Sequence, residues 1–335
     1  MSGWSPEAGA PGKVLLIQLR RLGDAVLLAP VLDALRGAWP GAKVHLLTEV
    51  PVPDLYAGDP RVDVVWVRPP RARLAGLAGT LRKERFDLVF DFQSLPITAL
   101  LAWRSGAFTV GFRRRFRFYA RSVRLGNHAG THYTPDHKLD LLRALGVPAV
   151  LGPTRLHPPE PDPSLWRGLP EGPRVALVPV SPWAHKRWAP EAFAETATRL
   201  HEATGAVFVL AGGPGEEESL LAVDELLAGV PHRVHEFRRV REFLAFLGSA
   251  ALFLGNDNGP RHMAMALGVP TLGWFGRINP THWTPPGPGN PVLWDRETAG
   301  RRPVREDLEI VPPRPEAAAE AAGRLLAAGA GSTSR

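Results

Sequence analysis

The sequence lacks cysteine altogether among its 335 residues. Disulfides, zinc–thiolate sites, iron–sulfur clusters and thiol nucleophiles are therefore excluded. No apolar run reaches the roughly 18 residues of a membrane-spanning helix, and the first residues lack the charged and then apolar pattern of a signal peptide. We therefore expect a cytoplasmic protein.

Lysine is scarce, although the chain is basic. Only five of its 40 basic residues are lysine, and the formal net charge is +7. This balance favours an anionic partner, such as nucleic acid, a phosphorylated substrate or an anionic membrane surface. Hydrophobic residues make up 44% of the chain and charged residues 22%, which is typical of a globular protein, and the length favours two domains.

The signature motifs of several enzyme classes are also missing. The sequence has no GxGxxG after its first strand and no GxxxxGK[ST], GxSxG or HExxH. Dehydrogenase, P-loop kinase, hydrolase and zinc-protease functions thus have no motif support. One group of metal-capable side chains lies close together in sequence, but its spacing matches no standard site, and we expect no metal and no cofactor. Its members are His128, His132, Asp136 and His137.

Short apolar runs alternate with amphipathic segments through both halves of the chain. This alternation predicts an α/β fold with two parallel, doubly wound, Rossmann-like sheets facing each other across a cleft. We expect domains at 1–155 and 156–335, joined by a proline-rich linker over 151–174, with a C-terminal helix over 315–328 that is free to pack back on the first domain. The predicted strands cover 13–19, 43–48, 62–67, 86–90, 174–180, 206–210, 250–254 and 269–275. The main predicted helices cover 25–36, 134–145, 190–203 and 240–247.

The stretch LGNDNGPRHMAMALGVP, residues 254–270, joins a buried strand to a helix. Pro260 suits the first turn of that helix, and Asn258 or Asp257 can cap it. A helix N-terminus at the carboxyl end of a parallel sheet favours phosphorylated ligands. We interpret Asp257, Asn258, Gly259 and His262 as a binding site for a phosphorylated ligand, although a capped turn without a ligand is the alternative.

Further polar residues follow other predicted strands. Asp24 lies after the first strand, at a helix start, where it is either a base or a carboxylate that complements the helix dipole. Gln93 follows the strand over 86–90, and the block SPWAHKRW follows the first strand of the second half. In that block Ser181, Lys186 and Arg187 are candidates for phosphate binding. Glu216, after a glycine turn, is either a ribose ligand or a helix-capping residue.

An arginine-rich segment with interleaved aromatic residues covers 112–124. We interpret Arg113, Arg114 and Arg115 as an acceptor-side patch for anionic sugars or phosphates that also docks at a membrane surface. Two alternatives are a solvated loop and a nucleic-acid platform. We expect no nucleic-acid partner, because these arginines form one local cluster in a two-domain enzyme.

These motifs together resemble glycosyltransferase family 9, the bacterial ADP-heptose:lipopolysaccharide heptosyltransferases. The resemblance rests on Gly23-Asp24, on Gln93 in a DFQSL context, on SPWAHKRW, and on NDNGPRHMAMALGVP followed by Trp-Phe-Gly. It implies a GT-B fold and an inverting, metal-independent transfer from ADP-heptose to the lipopolysaccharide inner core or a related cell-envelope glycan. It also implies a monomer in the cytoplasm, with a peripheral position at the inner face of the plasma membrane compatible with the basic segment.

On the family pattern, Asp24 would be the general base. Lys186 would bind the donor diphosphate and Glu216 the adenosine ribose, with Asp257 and its neighbours on the diphosphate and sugar. The sequence departs from the pattern at Asn258, where Ser or Thr is usual, at Arg261, where a small or apolar residue is common, and over 276–280. These departures leave the identity of the donor undetermined. A transferase that uses a different nucleotide sugar is one alternative, and a sugar-nucleotide 2-epimerase is another.

Overall fold

The computed structural model describes residues 5–70, 74–114, 118–124, 132–295 and 304–332. The chain forms two compact units. The first holds the residues up to 128 together with 134–157, and the second holds 129–133 and everything from 158 onward. The chain therefore changes unit between His157 and Pro158, beside the boundary expected at 155.

The first unit is a six-stranded parallel sheet with helices. Its strands are β1 (Lys13–Ile17), β2 (Lys43–Thr48), β3 (Val64–Val67), β4 (Leu88–Asp91), β5 (Phe108–Phe112) and β6 (Arg121–Val123). Its helices are α1 (Leu22–Val26), α2 (Ala29–Ala38), α3 (Val52–Leu55), α4 (Leu74–Lys83), α5 (Pro96–Arg104) and α6 (Thr134–Arg143). The strand order is β3-β2-β1-β4-β5-β6, so the order reverses between β1 and β4.

The second unit repeats this plan with seven parallel strands. The strands are β7 (Arg174–Val178), β8 (Val207–Gly212), β9 (His232–Glu236), β10 (Leu252–Asn256), β11 (Thr271–Trp274), β12 (Val292–Leu293) and β13 (Ile310–Val311). The helices are α7 (Pro190–Thr204), α8 (Glu217–Asp224), α9 (Val240–Gly248), α10 (Gly259–Ala266) and α11 (Pro315–Ser332). The order β13-β12-β11-β10-β7-β8-β9 reverses between β10 and β7.

The central strands are buried because helices cover both faces of each sheet. Residues 14–17 of β1 and residues 252–254 of β10 are completely shielded from solvent. The predicted two parallel, doubly wound sheets are thus confirmed. The C-terminal helix α11 packs on α7 and on strands β10, β11 and β13 of the same sheet, within the second unit.

Two predictions of local structure are wrong. The helix predicted over 25–36 is two helices, α1 and α2, because Pro30 has no N–H with which to continue a helix from Val26. The predicted linker is also too long. Trp166 lies within it but belongs to the second unit, where its ring stacks on Phe246 and its indole N–H donates to Ser249 Oγ at 2.8 Å.

Candidate functional site

Several candidate residues, including Asp24, Gln93, Lys186 and Asp257, follow the strands between which the strand order reverses. In the first unit Ile17 of β1 pairs with Asp91 of β4, so the loops that follow these strands are neighbours. In the second unit Val178 of β7 pairs with Gly255 of β10, with the same consequence. In open α/β sheets ligands bind outside the carboxyl ends of the strands at such points.

Asp24 lies in the first turn of α1 and is partly buried. Its Oδ2 accepts a hydrogen bond from the backbone N–H of Arg21 at 3.3 Å. The second carboxylate oxygen leaves room for a further proton or donor. Asp24 therefore combines the capping geometry expected of a first-turn carboxylate with a position beside the sheet end, and its role as a base stays a prediction.

Gln93 joins the loops after β1 and β4. Its Oε1 accepts from the backbone N–H of Leu19 at 3.1 Å, and its Nε2 donates to the carbonyl of Arg20 at 2.7 Å. Both ends of the amide are thus used within the protein, which fixes the turn before Asp24. Direct binding of an acceptor by Gln93 remains a prediction.

A buried carboxyl holds the arginine-rich segment on the sheet. Asp91 is fully buried, and burial raises its pKa, although hydrogen bonds from neighbouring groups oppose this. The Tyr119 hydroxyl donates to Asp91 Oδ2 at 2.7 Å, and the Tyr119 ring lies so close to Gly111 that a Cβ there would come within 2.5 Å of it. Ser94, with a left-handed φ of 51°, is held by its N–H to Asp91 Oδ1 at 2.9 Å.

The arginines of this segment face solvent where the structure describes them. Arg113 and Arg114 are exposed, as are Arg121 and Arg124 on and after β6. Arg115 lies outside the described residues. An exposed aromatic pair is found on the same unit, since the rings of Trp103 and Phe118 are 6.2 Å apart.

A buried lysine escaped the sequence analysis. Lys138 of α6 donates from Nζ to Gln18 Oε1 at 2.6 Å and to the main-chain carbonyl of Asp24 at 3.2 Å. Burial lowers its pKa to about 8, although the Asp24 carboxylate opposes this effect. Arg20 and Arg21, which are exposed and directly precede α1, were also missed, although two adjacent arginines in that loop are a visible signal for an anionic ligand.

Lys186 of the second unit is ion-paired. Its Nζ is 2.6 Å from Oδ2 of Asp257, which is 3% exposed. The two residues come from neighbouring loops, after β7 and after β10. The sequence predicted both for the donor site, and the structure brings them together as a pair.

Two asparagines tie the loop after β7 to the loop after β10. Asn256 donates to the carbonyl of Pro179 and accepts from the N–H of Trp188, at 2.8 and 3.0 Å. Asn258 caps α10 by accepting from the N–H of Arg261 at 2.9 Å, as predicted, and its Nδ2 donates to the carbonyl of Val180 at 2.8 Å. A serine or threonine hydroxyl at this position is too short to serve both partners. The N-terminal turn of α10, which begins at Gly259, is thus fixed beside the pair of Lys186 and Asp257.

The other donor-side candidates have defined partners. Arg187 donates from Nε to the carbonyl of Ser181 at 2.7 Å, and Ser181 Oγ accepts from the N–H of Trp183 at 3.3 Å. Glu216 precedes α8 and accepts from the N–H of Gly213 at 2.8 Å. Burial raises the pKa of Glu216, whereas the Gly213 bond and the charge of Arg187 act against it.

Arg261, in the first turns of α10, is fully buried. Its guanidinium lies 4.9 Å from the ring centre of Phe275, and its contacts with Trp283 O and Thr284 Oγ1 are long, at 3.4 and 3.3 Å. Burial lowers its pKa to about 10, although the charge of Asp257 opposes this. His262 is also buried, with its ring 6.0 Å from that of Trp283.

Within the described residues, no three metal-capable side chains lie together as a metal site. His128, one of the group singled out in the sequence, lies outside them. In the same part of the chain, no helix has the length and apolar character needed to cross a membrane.

The fold has close relatives among solved structures. A family 9 glycosyltransferase from Veillonella parvula superposes with a TM-score of 0.80 at 24% identity, covering 95% of this chain and 97% of that one. The ADP-heptose lipopolysaccharide heptosyltransferase II of Escherichia coli gives a TM-score of 0.78 at 20% identity, with 94% and 99% covered. The fold is therefore that of the GT-B glycosyltransferases.

The sequence places the chain more narrowly. The pattern of glycosyltransferase family 9 (heptosyltransferase) matches residues 74–309, and the chain belongs to this family. Lipopolysaccharide heptosyltransferase 3 of Escherichia coli is 24% identical over 295 residues, which cover 80% of this chain and 84% of that protein. The protein is thus a glycosyltransferase.

Proposed function

We propose that this enzyme transfers a heptose from ADP-heptose to the lipopolysaccharide inner core or a related cell-envelope glycan. The transfer would invert the anomeric centre and need no metal ion. Binding of the donor is supported by one observation, the ion pair of Lys186 and Asp257 beside the N-terminus of α10. Arg261, a buried residue of the same helix, adds a second positive charge. Two cations, one carboxylate and a helix N-terminus leave a positive surplus for a diphosphate.

The proposed chemistry has one proton transfer and one displacement. The Asp24 carboxylate takes the proton of the acceptor hydroxyl while the hydroxyl oxygen bonds to the anomeric carbon from the face opposite the diphosphate. The bond from the anomeric carbon to the phosphate oxygen breaks, and ADP leaves with both electrons. Lys186 and the helix N-terminus stabilise the developing negative charge on the departing diphosphate, which is the part a metal ion plays in other transferases.

The family relationship supports this donor and acceptor without fixing them. The similar protein from Escherichia coli is named for lipopolysaccharide heptose transfer, and the similar structure is named for ADP-heptose. Asn258, Arg261 and residues 276–280 differ from the usual family residues, so a different nucleotide sugar is the second candidate. Binding of ADP-heptose and of UDP-sugars, compared by calorimetry, separates the two.

Lys186 provides the sharpest test of the donor site. Lys186→Ala removes its charge-assisted contact and should weaken ADP binding by about ten- to a hundredfold. The loss should be the same whether the buffer contains EDTA or Mg²⁺. Lys83→Ala, which removes an exposed lysine of the first unit, is the matched control. Strict dependence of ADP binding on a divalent ion would refute the metal-independent site.

A double variant separates two roles for Lys186. If the lysine only neutralises Asp257, Lys186→Met combined with Asp257→Asn should restore the affinity for ADP. If the lysine contacts the diphosphate, the double variant should bind as weakly as Lys186→Met alone. We expect the second result.

We further propose that the first unit meets the membrane through its exposed aromatic pair and arginines. Trp103 and Phe118 can insert at the headgroup level while Arg104, Arg113 and Arg114 bind anionic lipid. The protein should sediment with vesicles that contain phosphatidylglycerol and not with neutral vesicles, and Trp103→Ser should reduce the bound fraction. The expected monomeric state is checked by light scattering.

A further inference from the structure

Lys138 is a cation buried where packing alone would favour an apolar residue. Its side chain reaches from α6 to the end of β1, where Nζ contacts Gln18 Oε1 and the carbonyl of Asp24. The ammonium also lies 5.7 Å from the ring centre of Phe92. No carboxylate of the described chain lies within ion-pair distance of Nζ, so the cost of its burial is not repaid by a direct salt bridge.

The other charged groups near Lys138 form ion pairs or hydrogen bonds with residues other than Lys138. On α6 itself, Asp136 and Asp140 bind Arg143, and His137 faces Asp140 at 3.9 Å. On α2, which packs against α6, Asp33 binds Arg61 and Arg36 binds Asp63. At the end of β4, Asp91 is held by Tyr119. Asp24 is the carboxylate whose charge acts on Lys138.

We propose that Lys138 is a positioning residue for Asp24, fixing the turn that carries the carboxylate and supplying its counter-charge. This inference rests on the proposed role of Asp24 as the base. The same turn is held from its other side by Gln93, and Gln18 Nε2 also donates to the carbonyl of Arg20. Lys138 thus completes a set of three side chains that bind the main chain from the end of β1 to the first turn of α1.

Of these three side chains, Lys138 is the one that brings a positive charge to the turn as well as hydrogen bonds. The positive charge strengthens the hydrogen bonds from Nζ to Gln18 and to the main chain of Asp24, and it attracts the Asp24 carboxylate, so it holds that carboxylate in one position. When the ammonium loses its proton, the amine can still donate to Gln18, but the counter-charge disappears. Transfer should therefore decline as the pH rises through about 8, where Lys138 titrates.

The electrostatic coupling can be measured without any activity. With only five lysines in the chain, the protein labelled with ¹³C at lysine Cε gives few signals, and Lys138→Arg assigns the one of interest. We expect that signal to titrate near pH 8 and its titration to move to lower pH in Asp24→Asn. Asp33→Asn, which removes a carboxylate from α2, should leave it in place. A titration unaffected by Asp24→Asn would overturn the proposal.

Kinetics then test the consequence for catalysis. At saturating substrates, Lys138→Met should lower kcat at pH 7 by about tenfold or more, with ADP affinity and Tm near those of the wild type. Lys138→Arg, which stays charged at all accessible pH values, should restore part of kcat and abolish the decline above pH 8. Wild-type kcat in Lys138→Met, or the same decline in Lys138→Arg, would contradict the inference.

Failure of the inference differs from failure of the proposed function. If Asp24→Asn transfers heptose normally, or the wild type transfers none, the function is wrong while the coupling seen by NMR still stands. If Asp24→Asn is inactive but Lys138→Met behaves as the wild type at every pH, the positioning role alone is wrong.

Discussion

Each unit buries one cation near a carboxylate that we place in the reaction. Lys138 lies near Asp24 in the first unit, and Arg261 lies near Asp257 in the second. Burial lowers the pKa of both cations, to about 8 and about 10, which shows that the protein bears a cost for each charge. Methionine at either position would bury apolar surface without this cost, and we therefore look to the carboxylates in the neighbouring loops for a role of each charge.

The lowered pKa of Lys138 predicts a pH dependence of stability. The unfolded chain binds more protons than the folded chain between about pH 8 and the usual lysine value of 10.5, so the free energy of unfolding rises with pH in this window. Relative to Lys138→Met, the wild type should gain up to about 3 kcal/mol from pH 7 to pH 10.5. Urea unfolding at a series of pH values measures this difference, and a constant difference would refute it.

Asn258 makes two hydrogen bonds whose contributions can be separated by substitution. Asn258→Thr keeps an oxygen to cap α10 but loses the bond to the carbonyl of Val180. We expect it to raise the KM for the donor and to cost about 1 kcal/mol of stability, whereas Asn258→Ala should cost about 2 kcal/mol because the cap is lost as well. Wild-type donor binding and stability in Asn258→Thr would mean that the link to Val180 contributes nothing.

At the scale of elements, the positions of the loops that follow the strands were predictable from the sequence, but the hydrogen bonds that hold these loops were not. Buried apolar runs followed by Asp24, by Gln93 or by NDNGPR predicted that these residues share the carboxyl ends of parallel strands, and they do. Lys138 was not predictable as a partner of Gln18, because 120 residues separate the two and nothing local marks a buried lysine. The break between α1 and α2 was predictable from Pro30, which the apolar periodicity of that segment obscured.

The connection between β5 and β6 is the element that presents the arginines. Tyr119→Phe removes the donor to buried Asp91 and keeps the ring against Gly111. We expect a loss of about 1–3 kcal/mol in stability and a higher KM for the acceptor, with ADP affinity unchanged.

Arg113, Arg114 and Arg115 changed together should raise the same KM for the acceptor and flatten its salt dependence. An acceptor KM that neither change affects would show that the segment has only a structural role.

At the scale of the whole molecule, two units of the same topology divide the proposed reaction between them. The first carries Asp24, which we propose as the base, and the basic segment, and the second carries the ion pair, the capped helix and Glu216. The alternation of apolar runs with amphipathic segments predicted two parallel, doubly wound sheets, because the type of each element follows from local patterns. The donor sugar was not predictable, since neither the pattern of elements nor the motifs of the loops distinguish ADP-heptose from another nucleotide sugar.

The central claim is that Asp24 removes the proton of the acceptor hydroxyl in a heptosyl transfer from ADP-heptose. Asp24→Asn keeps the shape of the side chain and an oxygen for the N–H of Arg21, but it cannot act as a base. With both substrates saturating, kcat should fall by about 10²–10⁴, while the Kd for ADP and the Tm stay near those of the wild type. Transfer at the wild-type rate by Asp24→Asn would contradict the account and leave Asp24 with a helix-capping role.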